Sequence, residues 1–237
     1  MTSIPSFDFN NPLIQARTLQ TLWLEGCTYD DFLGRLYADI DQACSCILED
    51  VEKHLKLTET EISSSIWLYL KGCKIYQVEK DTDSNGNVDI TVRTNSHKWL
   101  AEAKIWSSNS YLHEGYLQLT ERYSKGEKKH NHGGMFIYIK PESDQDNEVE
   151  IIDSWKTYLK DTYSGLGVTD CNLDDSRFFS KAKHSGTKHD YHIRYIPLTL
   201  LHIPRDKSGR TAQKYQERMK LFDENTANNI EAKIVDV

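Results

Sequence analysis

An uninterrupted apolar stretch is the first thing missing from this chain. No run approaches the ~20 residues that a bilayer span requires, and the N-terminus opens on Ser, Pro, Asp and Asn rather than on a leader pattern. Neither a membrane helix nor a secretory signal is therefore expected. Cysteine is sparse too. The five present are odd in number, which argues against a disulfide framework, and apart from Cys44 and Cys46, two apart on a helical pattern, no pair has zinc spacing. Free, buried or partly buried thiols in a reducing compartment, the cytoplasm, are the expectation. An excess of positive charge is also lacking. Lys and Arg number 29 against 36 Asp and Glu, a formal −7, so bulk attraction is not how this chain would hold nucleic acid.

What is present is enough chain, 237 residues, for one good core. Residues 12–56 read as helical, with Leu13, Ala16, Leu19 and Leu22-Trp23, then Phe32, Leu36, Ile40, Ile47, Val51 and Leu55 at helical spacing. This acidic N-terminal annex, residues 1–58, offers its apolar positions either to the core or to another subunit. Ile151, Ile152, Trp155, Tyr158 and Leu159 form a further helical stripe after an acidic loop, and 191–203 alternates as a strand, broken at Pro197. From 204 to 237 the chain reads as a polar extension: a loop through Lys214, then a short helix or frayed tail past Leu221.

The chemistry-bearing pattern lies between. In Val88-Asp89-Ile90-Thr91-Val92-Arg93 strand alternation sets the valines and Ile90 on one face and Asp89, Thr91 and Arg93 on the other. Twelve residues separate Asp89 from Glu102 in Trp99-Leu100-Ala101-Glu102-Ala103-Lys104-Ile105-Trp106, where Glu102 and Lys104 project together above a small apolar underside. If the two strands form a hairpin, the carboxylates converge. They would repel and raise one another's pKa unless protonated, cation-paired or joined by a divalent metal. Mg²⁺, which takes few protein oxygens and suits phosphate, is the instructive answer.

This arrangement resembles the PD-(D/E)xK, or restriction-endonuclease-like, nuclease superfamily over about residues 59–140. The resemblance implies an α/β fold with a central mixed β-sheet flanked by helices, spanning residues 59–203. It implies Mg²⁺ or Mn²⁺ held by Asp89, Glu102 and the Ala103 carbonyl, with Lys104 assisting the attacking water. A further acid is expected on the preceding helix, Thr58 to Leu70, where Glu61 is the match and Thr58 or Thr60 the N-cap. A polar residue is expected on the helix that follows, Ser110 to Tyr123, where Gln118 fits; the RecB-like branch carries Gln-x-x-x-Tyr there, and Gln118 to Tyr123 is one residue longer. The implied activity is hydrolysis of phosphodiester bonds, in DNA rather than RNA, in bacterial restriction or anti-phage defence. The implied assembly is a homo-oligomer or a subunit of a larger complex. The alternative is a catalytically silent nucleic-acid-binding or scaffold subunit.

Two patterns beside the site mislead. Asp81-x-Asp83-x-Asn85-Gly86 copies half of a calcium loop, but its twelfth position is Val92, and a hairpin turn at Asn85-Gly86 explains it. Lys128 to Gly134 spells His-Asn-His without the partner cysteines of such nucleases and reads as a polar loop. The Lys and Arg excess lies in 71–140, eleven against eight acids, and in 177–220, eleven against three. Phosphate contacts are expected there from Lys129, Lys183, Lys188 and Arg194.

Overall fold

The computed structural model describes residues 12–83, 87–94, 96–143, 146–172, 174, 176–203 and 212–235. The expected turn at Asn85-Gly86 and most of the 204–214 loop lie outside the described residues. A seven-stranded mixed sheet runs through the molecule: β1 (Gln77–Asp83), β2 (Asn87–Arg93), β3 (Lys98–Ile105), β4 (His132–Ile139), β5 (Gly167–Asp170), β6 (Phe178–Lys183) and β7 (Asp190–Thr199). The order is β1-β2-β3-β4-β7-β6-β5, with β3, β4 and β7 parallel and both flanks antiparallel. The chain is thus α/β with helices on both faces.

One face is covered by α2 (Tyr29–Glu49) and α4 (Glu59–Gly72), preceded by α1 (Pro12–Gly26) and joined by the short α3 (Val51–His54). Both covering helices start on the same local chemistry. Thr28 and Thr58 accept from the backbone of Asp31 and Glu61, whose carboxylates take the cap N–H groups in return, so each helix opens on a capping box. Phe32, Leu36, Ile40 and Ile47 of α2 are buried with Ile62, Ile66 and Leu70 of α4 against Ile90, Val92, Trp99, Ala101, Ala103, Phe136 and Ile196 of the sheet. Within the N-terminal helical segment, the apolar stripe of α2 is thus one wall of the sheet's core. Ser63 Oγ lies 2.9 Å from the buried Tyr138 hydroxyl, and Trp67 donates its indole N–H to Val78 O at 3.2 Å, tying α4 to β4 and β1.

The opposite face packs under α5 (Asn109–Leu117), which continues into a π-helical turn, Gln118–Tyr123, and under α6 (Glu148–Thr162). Leu112, Tyr116, Leu119 and Tyr123 join Leu100, Met135, Ile137, Trp155 and Tyr195 in this second core. Three expectations change. β7 runs unbroken through Pro197, because β6 pairs only as far as Tyr195 and the proline interrupts no ladder on that flank. The C-terminal segment forms a long helix, α7 (Gln213–Val235), anchored by Tyr215 to Glu52 at 2.9 Å and by Arg218 to His202 O at 2.9 Å. Val88 does not share a face with Ile90 and Val92; it is buried in the second core and they in the first. Between Val88 and Ile90 lies Asp89, the one position of β2 in this stretch without a ladder partner on β1, opposite Asp81, whose backbone is left-handed (φ 53°); the register is the same on either side, Lys80↔Ile90 and Thr82↔Val88. No helix among the described residues is long and apolar enough to cross a membrane.

Candidate active site

The β2–β3 ladder ends at Ile90↔Ala101, which makes Asp89 and Glu102 the next residues along their strands. Released from the ladder, Asp89 turns its carboxylate onto β3, where Oδ2 accepts the Ala103 N–H at 2.8 Å. Glu102 is 2 % exposed. Its Oε1 accepts from Lys104 Nζ at 2.6 Å, while its Oε2 is buried with no hydrogen-bond partner. Burial, then the neighbouring Asp89, push the Glu102 carboxyl up to about 7, against the pull of Lys104. Asp89 is also raised, by burial first, with the Ala103 N–H and Lys104 opposing and Glu59 and Asp81 adding to the shift. Burial presses the Lys104 ammonium down, but the Glu102 carboxylate outweighs it and the net direction is up.

Strand alternation explains why the triplet faces two ways. Ala101 and Ala103 are wholly buried beneath α4, and their small size lets the helix lie close to β3; Glu102 and Lys104 face α5 instead. Lys104 reaches Glu102 by passing Gly115 of α5, where an added Cβ would stand 3.2 Å from Lys104 Cγ and 3.0 Å from Met135 Cε. At the start of α5, Tyr111 is 40 % exposed and its ring centroid lies 5.7 Å from Lys104 Nζ.

Of the residues expected at this site, Asp89, Glu102, Ala103 and Lys104 come together and Glu61 does not. Glu61 is turned into the α4 cap, with Oε2 accepting the Thr58 N–H at 2.8 Å, a bond that holds its carboxyl below the usual range. The α4 acid that reaches the site is Glu59, whose Oε2 accepts the Ile105 N–H at 2.8 Å. The Thr-x-x-Glu spacing carried this signal: once Thr58 is the cap, Glu61 is the residue whose side chain the cap consumes. Gln118 stands beside the site through Tyr123. Its Nε2 donates to the Tyr123 hydroxyl at 3.2 Å, and that hydroxyl donates to Asn87 O at 2.7 Å, two residues before Asp89 on β2. The π-helical turn makes this contact, because in an i→i+5 turn residues five apart come into register. Burial pushes the Tyr123 phenol up to about 12, with Glu102 the next cause.

The four residues expected on phosphates separate. Lys129 and Lys188 are exposed, and Lys183 is exposed but ion-paired with Asp190. Arg194 is excluded: it is wholly buried, forks onto Asp41 at 2.8 and 2.9 Å, and lies 4.7 Å from the Tyr37 ring centroid. No group of three or more His, Cys, Asp or Glu side chains among the described residues gathers to hold a metal ion. The donors at hand are two carboxylates, one of whose oxygens is buried and unpartnered, a set that a lightly ligated hard cation fits. Comparison with protein-family models, with curated proteins and with solved structures finds no match.

Proposed function

We propose that the chain is a metal-dependent phosphodiesterase of the PD-(D/E)xK kind that cuts DNA. The observation that carries this reading is the buried Glu102 Oε2, which has no partner beside a second carboxylate and a lysine. Leaving such an oxygen unpaired costs roughly 1–3 kcal/mol, and a divalent cation shared with Asp89 removes that cost. Asp89, Glu102 and the carbonyl of Ala103 would hold Mg²⁺ or Mn²⁺. Bound there, the ion supplies Lewis acidity toward a phosphoryl oxygen and lowers the pKa of the attacking water. Lys104, with its ammonium anchored on Glu102, orients that water and offsets the negative charge that develops on phosphorus. Glu59 holds the end of β3 in place, and the Gln118–Tyr123–Asn87 chain of hydrogen bonds braces the start of β2.

The deciding experiment compares the parent with Lys104→Ala on linear, supercoiled and single-stranded DNA and on RNA, with Mg²⁺ or Mn²⁺ and with chelator. The parent should cut DNA only with metal, and the variant should be slower by at least about a hundredfold. Equal cutting by both proteins assigns the activity elsewhere. The rival reading is a silent nucleic-acid-binding or scaffold subunit, favoured by the Glu102–Lys104 pair, which partly neutralises the site without an ion. Calorimetry that finds no Mg²⁺ or Mn²⁺ binding, with DNA binding retained, would select it.

A further inference from the structure

The end of β3 away from the carboxylates carries a second cluster. Residues paired across an antiparallel ladder share a face, so the pairs Thr91↔Leu100 and Arg93↔Lys98 set Arg93 and Lys98 on the side of Leu100, Glu102 and Lys104. Lys125, in the loop after the π-helical turn, comes to the same place: Lys98, Tyr123, Lys125, Glu127, His130 and Tyr191 line a cavity of about 30 Å³. The cationic groups are poorly neutralised. Glu79 is held by Arg93 at 3.4 Å and Glu127 by His130 at 2.9 Å, and neither Lys98 nor Lys125 has a carboxylate at ion-pairing distance among the described residues. Burial, then Arg93 and Lys125, push the Lys98 ammonium below its usual range, with Glu127 and Glu79 offsetting only part of this. An independent observation points the same way. Tyr191 is 3 % exposed and its hydroxyl is buried without a hydrogen-bond partner.

We propose that this cavity is a phosphate subsite, in which Lys98 and Lys125 receive a backbone phosphate of the DNA strand and the Tyr191 hydroxyl donates to one of its oxygens. The inference deepens the nuclease reading and rests on it for the identity of the strand. Lys98 lies four positions before Glu102, roughly 13 Å along the strand, which matches about four nucleotides of duplex rise. The subsite would fix how DNA runs along β3 from the point of cutting.

The test is fluorescence anisotropy of a labelled DNA duplex in chelator, across a salt series, so that binding is read without cutting. Lys98→Gln and Lys125→Gln should each weaken binding and flatten the slope of log affinity against log salt, by about one where a phosphate contact is lost. Lys220→Gln, which removes an equal charge from the exposed face of α7, should match the parent. Tyr191→Phe, which removes only an unpartnered hydroxyl, should keep the parent's melting temperature and salt slope and weaken binding about three- to tenfold. Lysine variants indistinguishable from Lys220→Gln overturn the subsite, and a Tyr191→Phe protein that binds like the parent overturns the hydroxyl's part in it. Adding metal separates the two readings. Cutting by a parent whose binding ignores Lys98 and Lys125 removes the subsite alone, whereas lysine-dependent binding without cutting supports the subsite and removes the nuclease reading.

Discussion

Gly115 is where the spacing of the candidate site is set at the level of a single residue. A Cβ there would meet Met135 Cε and the stem of Lys104 at 3.0 to 3.3 Å, tighter than an ordinary contact, so the missing side chain leaves the lysine room on its path to Glu102. Gly115→Val should cost about 1–3 kcal/mol through overpacking and lower cleavage by displacing Lys104. Chemical denaturation and a cleavage assay read the two effects, and a valine variant with the parent's rate would mean that Lys104 is held by something other than this passage. Gly134 has a comparable role in the core: a Cβ would stand 2.1 Å from the wholly buried Trp99 ring, which gives the glycines of the His-Asn-His-Gly-Gly stretch a packing purpose. At this scale the sequence was legible where a residue's role is set by strand alternation, as for Glu102 and Lys104. It was misread where two acids compete for one role, and the capping box, a local backbone constraint, decided between Glu59 and Glu61. Arg194 shows the converse difficulty. Charge counted along a chain says nothing of burial, and its partner Asp41 lies 153 residues away.

Among the elements, the π-helical turn bears most directly on function. It takes up the one residue by which Gln118 to Tyr123 exceeds a regular helical spacing and still brings the two side chains to 3.2 Å. Tyr123→Phe, which removes the bonds to Asn87 O and Gln118, should lower cleavage about 10- to 100-fold with little loss of fold, as for other side chains that brace metal ligands. Deleting the exposed Glu121 should let the segment wind as a regular α-helix with a Gln-x-x-x-Tyr spacing, and cleavage should stay within about tenfold of the parent if the contact is what matters. Loss of activity in the deletion alongside an intact melting curve would show that the wider turn itself is required. The helices that cover the sheet were readable from apolar periodicity because each buries one face, and β4 was readable as a continuous apolar run because it is buried on both. β5 was not, since Gly167–Asp170 is short and mostly exposed, and β6 was not, since its burial fades along Ser180–Lys183. The parting of Val88 and Ile90 into opposite cores, and the left-handed backbone of Asp81 across from Asp89, are features that no residue pattern announces.

For the molecule as a whole, the seam between α2 and the parallel strands has a titratable character of its own. His132 and His192, neighbours across β4 and β7, stack at 4.5 Å with an 8° angle between rings, and Tyr29 at the start of α2 places its ring 5.6 Å from His132. His132 Nδ1 lies 2.9 Å from Asn131 Oδ1. Burial, and then His192, push the His132 imidazole down to about 4, and burial also lowers His192. Between that value and the 6.5 of an unfolded histidine, this residue takes up a proton in the unfolded chain and not in the folded one, so its contribution to stability rises with pH across this interval. The His132 contribution, at most about 3 kcal/mol, should therefore be full above about 6.5, fall as the pH drops toward 4, and level off below it, while the raised Glu102 carboxyl works in the opposite direction between about 7 and its ordinary value. His132→Phe keeps a flat ring against Tyr29 and His192 and removes the proton site. Urea denaturation just above pH 6.5 and again near 4 should show a smaller acid loss in this variant than in the parent. The same acid loss in both proteins would place the acid sensitivity at groups other than His132, since that imidazole is the only proton site the substitution removes.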